Sequence, residues 1–204
     1  MIRLIAALFA AAASAMAAPA AEPYDYWIEP CSGEAAAQSG CDRTDPELAQ
    51  WALDAWQQAG APGLRFRATA DPASARIHIY WIAKKPQLYG EAHITYLNGR
   101  KVWVIDVQPD LAQFGPQMEA AGRGDRLFRD VVVYLTCLHE IGHVLALPHT
   151  DNFADIMYSF QYGGDVIEYF GRYRRALHGR SDIRTHPDIS EWDRRRVAFV
   201  YAAH

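Results

Sequence analysis

Nine residues without Gly or Pro, Asp130-Val-Val-Val-Tyr-Leu-Thr-Cys-Leu138, run straight into His139-Glu140-Ile141-Gly142-His143, and this junction constrains the fold more than any other feature. The stretch is apolar on most sides, so it predicts a helix inside a core rather than on a surface. On that helix His139 and His143 are one turn apart and share a face. Their neutral imidazoles can meet one metal ion, in a geometry that suits tetrahedral Zn²⁺. Glu140 lies between them, aimed at the outer side of the metal, where a zinc-bound water needs a general base.

Two ligands leave a catalytic zinc underbound, and His149 stands six residues after His143. Pro148 ends the helix, so a chain that leaves it near Ala146 and turns back brings His149 under the same metal, with a fourth position open. H-E-x-x-H alone is a weak signal, because two histidines on a buried helix arise by coincidence. The added weight comes from His149 and from Ile156-Met157-Tyr158 downstream.

These residues resemble the metzincin clan of zinc peptidases, whose H-E-x-x-H-x-x-G-x-x-H pattern is followed by a methionine turn beneath the metal. The match falls on His139, Glu140, His143, His149 and Met157. The matrixin branch is the nearest: the interval from His149 to Met157 is short, Thr150 follows the third histidine, and Ile-Met-Tyr matches that branch's turn. The resemblance implies an α+β fold, with a twisted mixed sheet, an antiparallel edge strand, a long zinc-binding helix, a first helix and a C-terminal helix. Two positions depart from the pattern. Ala146 stands where the clan has Gly, and if the turn needs a left-handed backbone its Cβ costs on the order of 1 kcal/mol. Ser159 replaces the matrixin Pro at the pocket wall, and also the Tyr two residues after Met in astacin-like and serralysin-like enzymes, so no tyrosine switch is implied.

Other arrangements compete for the metal. Glu168 could be a third ligand in the thermolysin manner, but that family's companion residues are missing, which leaves an ordinary charged helix position. Asp151 can replace a third histidine in a related clan; with His149 present it reads as capping a turn or bonding a ligand histidine. His78 and His93 suggest the matrixin structural zinc without its His-x-Asp pattern. No motif indicates structural Ca²⁺, though the resemblance leaves room for it.

The first twenty residues have a basic start, an apolar centre and small-residue cleavage options between Ala15 and Ala21, which predicts a signal peptide over 1–20 and one catalytic domain over 21–204. Export implies an oxidising compartment, secreted or periplasmic, where Cys31 and Cys41 pair across a short Ser/Gly/Ala-rich loop. Cys137 falls on the side of the helix away from the metal, as a buried thiol. Neither paired cysteine sits in the Pro-Arg-Cys-Gly context of matrixin propeptides, so latency by a cysteine switch is not expected. A net charge of −4 carries no polyelectrolyte signature, which argues against nucleic acid as a partner.

Between the ends, Thr44-Asp45-Pro46-Glu47 starts a helix that buries Leu48, Trp51, Ala52, Ala55 and Trp56, and Gly60 to Gly63 stops it. Leu64 to Arg67 and Ala75 to Ile82 alternate as strands, and Asn98-Gly99 joins Gly90–Tyr96 to Lys101–Val107 as a hairpin. By the resemblance, Gly90, Glu91, Ala92 and His93 form an edge strand that pairs with an extended substrate. Residues 109–124 read as loop with a short helical turn. The Arg/Tyr-rich insertion 163–187 reads as a solvated helix face, and Ser190 caps a last helix that buries Val197, Phe199, Val200 and Tyr201.

The function implied is that of a secreted, monomeric zinc endopeptidase acting on peptides or proteins, without a stable membrane anchor. A zinc-stabilised binding module of the same fold that has lost cleavage is the alternative.

Overall fold

The structure is a computed structural model and describes residues 23–60, 63–83 and 89–202. The leader expected over residues 1–20, with its cleavage window, lies outside the described residues, as do Ala61 and Pro62 of the first helix stop.

The strands are β1 (Tyr24–Ile28), β2 (Phe66–Ala68), β3 (Ile77–Trp81), β4 (Gly90–Leu97) and β5 (Arg100–Val107), in the sheet order β2-β1-β3-β5-β4. All neighbours are parallel except β4, which runs antiparallel to β5 at the edge. The hairpin forms where Asn-Gly predicts it: Asn98 (φ 51°) and Gly99 (φ 77°) are both left-handed, as a two-residue turn matched to strand twist requires. Period-2 alternation sends Ile77, Ile79 and Trp81, with Ile105 and Val107, into the core.

Helices α2 (Asp45–Gln58) and α4 (Arg126–Val144) supply the other wall of that core. Trp56 is fully buried, and its indole N–H donates to the Leu138 carbonyl over 2.8 Å, fastening the two helices one residue before the first metal-face histidine. Each such large apolar side chain contributes about 1.5–3 kcal/mol by leaving water. Asp125 caps α4 by accepting from the amides of Leu127 (3.0 Å) and Phe128 (3.2 Å). Arg129 on its first turn holds the wholly buried Asp45 in a two-pronged ion pair. Cys137 is buried as expected, and burial pushes its thiol up.

Several expectations are corrected. The Cys31–Cys41 disulfide is present, with Cα atoms 6.0 Å apart, but the segment it spans is no loop. Helix α1 (Gly33–Ser39) occupies it, because Ala35, Ala36 and Ala37 favour helix, Ser32 caps the start and Gly40 (φ 73°) ends it. Residues 109–124 form a 3₁₀ turn (Leu111–Phe114) and α3 (Pro116–Gly124), with Leu111 and Met118 buried. The insertion is not a solvated face. Its helices α5 (Val166–Arg175) and α6 (Asp182–Thr185) bury Tyr169, Phe170, Tyr173 and Ile183, and several of its arginines meet acids of the chain: Arg174 to Asp125 (2.6 Å), Arg172 to Asp188 (2.9 Å), Arg180 to Asp130 (3.1 Å). Helix α7 (Glu191–Ala202) buries Val197, whereas Phe199 is 78% exposed, because a step of two residues along a helix turns the side chain through roughly 200°.

Candidate metal centre

The last turn of α4 decides where the chain goes next. Leu147 N–H donates to Gly142 O (3.0 Å) and Ala146 N–H to His143 O (2.9 Å), the paired bonds of a Schellman stop, with Ala146 in the left-handed position at φ 63°. The turn therefore does need the backbone that glycine takes most easily, and Ala146 adopts it against a steric cost of about 1 kcal/mol. The chain reverses there and returns His149 to the helix face. Thr150 N–H then donates to Met157 O (2.8 Å) and Ser159 N–H to Thr150 O (3.2 Å), so the His149 loop and the methionine turn are clipped together.

This path brings the Nε2 atoms of His139, His143 and His149 to one point. His149 Nε2 lies 3.2 Å from that of His139 and 3.1 Å from that of His143. Main-chain carbonyls fix two of the tautomers: His139 Nδ1 donates to Ile156 O (2.7 Å) and His143 Nδ1 to Leu147 O (3.0 Å). Both rings therefore present bare lone pairs at Nε2, and one hydrogen on His149 could satisfy only one of them. A metal ion satisfies all three. Ligands at tetrahedral Zn²⁺ sit about 3.3 Å apart, from zinc–nitrogen bonds near 2.0–2.1 Å, so the donor set fits that ion. Burial favours the neutral rings: it carries His139 down to about 3, aided by the charge of His143, and lowers His143 and His149 as well.

Glu140 is 6% exposed, and burial pushes its carboxyl up to about 8, against the Ala92 backbone N–H that bonds it. Met157 is fully buried beneath the site, and a Cβ at Gly142 would overlap its sulfur. The closely packed glycine inside the motif thus has a reason of its own. Gly90 is a similar case, since a Cβ there would stand 2.7 Å from Thr136 Cγ2 and 2.9 Å from Glu140 Cγ.

The edge strand passes over the cleft, but only alternate residues are available to it. Gln108 N–H donates to Tyr89 O (2.9 Å), and bonded pairs alternate along an antiparallel ladder, so Glu91 and His93 spend their main-chain groups on β5. Gly90 turns its groups to the open edge, as Ala92 does its carbonyl, the Ala92 N–H being taken by Glu140. The side chains of Glu91 and His93 lie on the sheet face away from α4, where they gather with Asp106. His78 and His93 flank Val104 in one row with β5 between them, roughly two strand spacings apart. Glu168 is exposed and paired with Arg175 (2.5 Å). Asp151 does not bond the ring hydrogens of His139 or His143, which go to the carbonyls already named.

Sequence reasoning missed the residues that brace the methionine turn. Asp193 of α7, wholly buried, accepts from Ile156 N–H (2.8 Å), and its own N–H donates to Ser190 Oγ (3.0 Å). Tyr169 of α5 donates its hydroxyl to the main chain at Asp155 (3.1 Å). Neither carries a local signal, because both act across long stretches of chain. Beside the histidines opens a cavity of about 690 Å³, walled by Tyr89, Phe114, Leu135, Phe160, Val166 and Phe170. Tyr89 and Phe114 stack at 4.0 Å, and Ser159 lines the same space while its hydroxyl caps the 3₁₀ turn Phe160–Tyr162. No protein-family model matches the chain, and no curated protein matches it.

Proposed function

We propose that the chain is an exported zinc-dependent endopeptidase of the metzincin clan, nearest the matrixin branch. The observation that carries this reading is the convergence of three imidazole ε-nitrogens, two with tautomers fixed by main-chain carbonyls, beside a buried glutamate in an open cleft. The mixed sheet with its antiparallel edge strand, backed by a long helix, supports a metzincin-like fold. The Cys31–Cys41 disulfide supports an oxidising compartment. No helix among the described residues is long and apolar enough to cross a membrane.

His139, His143 and His149 would hold the ion as neutral donors. When bound, Zn²⁺ supplies Lewis acidity, polarising a carbonyl and acidifying water. Glu140, buried beside the three histidines, would accept the proton of the attacking water and return it to the leaving amine. Gly90 and the Ala92 carbonyl offer main-chain hydrogen bonds to an extended peptide, which aligns the scissile bond without reading each side chain. The aromatic cavity accepts an apolar side chain next to that bond.

The test is Glu140→Ala, assayed on unfolded protein and a diverse peptide library with zinc content measured alongside. Zinc should stay bound while kcat/KM falls roughly 10²- to 10⁴-fold. Retained zinc with cleavage at the wild-type rate rules the assignment out. A wild-type protein that holds zinc and cuts nothing points to the binding module instead.

A further inference from the structure

His149 borders a second opening, a cleft of about 620 Å³ that shares no other lining residue with the aromatic cavity and is chemically unlike it. Its rim leaves two large rings in water, Tyr162 at 55% and Trp192 at 56% exposed, beside the exposed Asp151. Its floor is Asp155, 1% exposed. Asp155 Oδ1 accepts from Ser190 Oγ (2.8 Å) and Asn152 Nδ2 (3.1 Å), while Oδ2 is buried and has no partner. Arg196 is the one cation among the described lining residues, and its guanidinium is engaged: one nitrogen donates to Pro148 O and another lies 3.6 Å from Asp193 Oδ1. Three carboxylates, counting Asp193 behind the floor, thus face a single guanidinium. Those carboxylates and the two exposed aromatic rings of the lining each attract a positive charge.

We infer that this cleft is a subsite for a cationic side chain, Lys or Arg, carried by the substrate on the opposite side of the scissile bond from the residue in the aromatic cavity. The inference rests on the peptidase reading, since one peptide running past His149 would reach both openings. The cation would lie against Trp192 and Tyr162 with Asp151 at the rim, while Asp155 and Asp193 contribute their field from below. An acidic residue at the same position would meet that field with the wrong sign.

The experiment uses peptides with an aromatic residue fixed on one side of the cleaved bond and each position on the other side varied among Arg, Lys, citrulline, Ala and Glu. At one position Arg and Lys should raise kcat/KM about five- to tenfold over Ala, mainly through KM, the scale of one partly exposed cation–π and ion-pair contact. Glu should fall below Ala, and high salt should shrink the gain. Asp151→Asn and Trp192→Ala should each bring the Arg-to-Ala ratio close to one, a readout that general damage to the fold leaves alone. Equal cleavage of Arg and Ala peptides, citrulline matching Arg, or an unchanged ratio in both variants overturns the subsite. If no peptide is cut, the peptidase reading fails, and NMR titration of the isotope-labelled protein then decides the subsite. Acetyl-arginine amide should shift the Trp192 indole N–H and the Asn152 amide, where the citrulline analogue should not; identical responses overturn it.

Discussion

The candidate metal centre has two halves built on different principles. His139, Glu140 and His143 ride on one helix, whose period alone brings them together. His149 and Met157 ride on irregular chain, and their position depends on a left-handed Ala146, the clip between Thr150 and Tyr158, and braces from Tyr169 and Asp193 on other helices. The contrast teaches where a metal site is robust. The helical half is placed by its own turn and takes only its ring orientation from the carbonyls of Ile156 and Leu147, whereas the looped half borrows its position from remote elements.

The largest expected break in that contrast is Asp193→Ala. It strands the buried Ile156 N–H and the Arg196 guanidinium, at about 2–3 kcal/mol of stability by denaturant unfolding. Because Ile156 O orients His139, zinc affinity should also fall roughly 10- to 100-fold in a chelator competition. A variant with unchanged zinc affinity would show that the looped half holds itself. Next comes Gly142→Ala, which attacks the helical half by pushing a methyl into Met157 and towards Trp56. Overpacking of about 1–3 kcal/mol should outweigh the better helix propensity of Ala, so Tm drops. In the opposite direction, Ala146→Gly should stabilise by about 0.5–1 kcal/mol, because it relieves a left-handed alanine. A loss of stability there would mean that the turn carries no strain.

The smallest effect is one of pH. Burial alone would raise the Asp125 carboxyl, but Arg174 and the amides of Phe128 and Leu127 outweigh it, leaving it below the ordinary carboxylate range. Its contribution is therefore complete above the unfolded value of about 3.9 and is lost as pH falls through the lower folded value. Being partly exposed, the group should account for no more than about 1 kcal/mol. Asp125→Asn should flatten the acid limb of Tm by that amount, and an equally steep limb would dissociate the cap from acid unfolding.

Much of the helical half was legible because its signals are local. A run without Gly or Pro, histidines four apart and a proline just beyond the stop all act within a few turns, as do Asn98-Gly99 and the alternation of Ile77, Ile79 and Trp81. The remainder depended on distance. Nothing near Asp193 in sequence announces that its carboxylate serves Ile156, and nothing in the Arg-rich insertion announces that Tyr169 and Phe170 face the core. Strand β1 went unread for a related reason: five residues with only Tyr26 fully buried carry too little pattern to stand out. The Phe199 error was one of phase, since apolar content was counted where helical angle decides burial.

The two acceptors that hold His139 and His143, the carbonyls of Ile156 and Leu147, belong to the main chain. A point mutation can delete a carboxylate or an amide side chain but not a peptide oxygen. No substitution removes these two acceptors directly, although one that deletes a brace such as Asp193 displaces Ile156 O, and side chains of the aromatic cavity can change while both acceptors stay in place. On the proposed peptidase reading, changes of specificity can accumulate faster than changes at the three histidines.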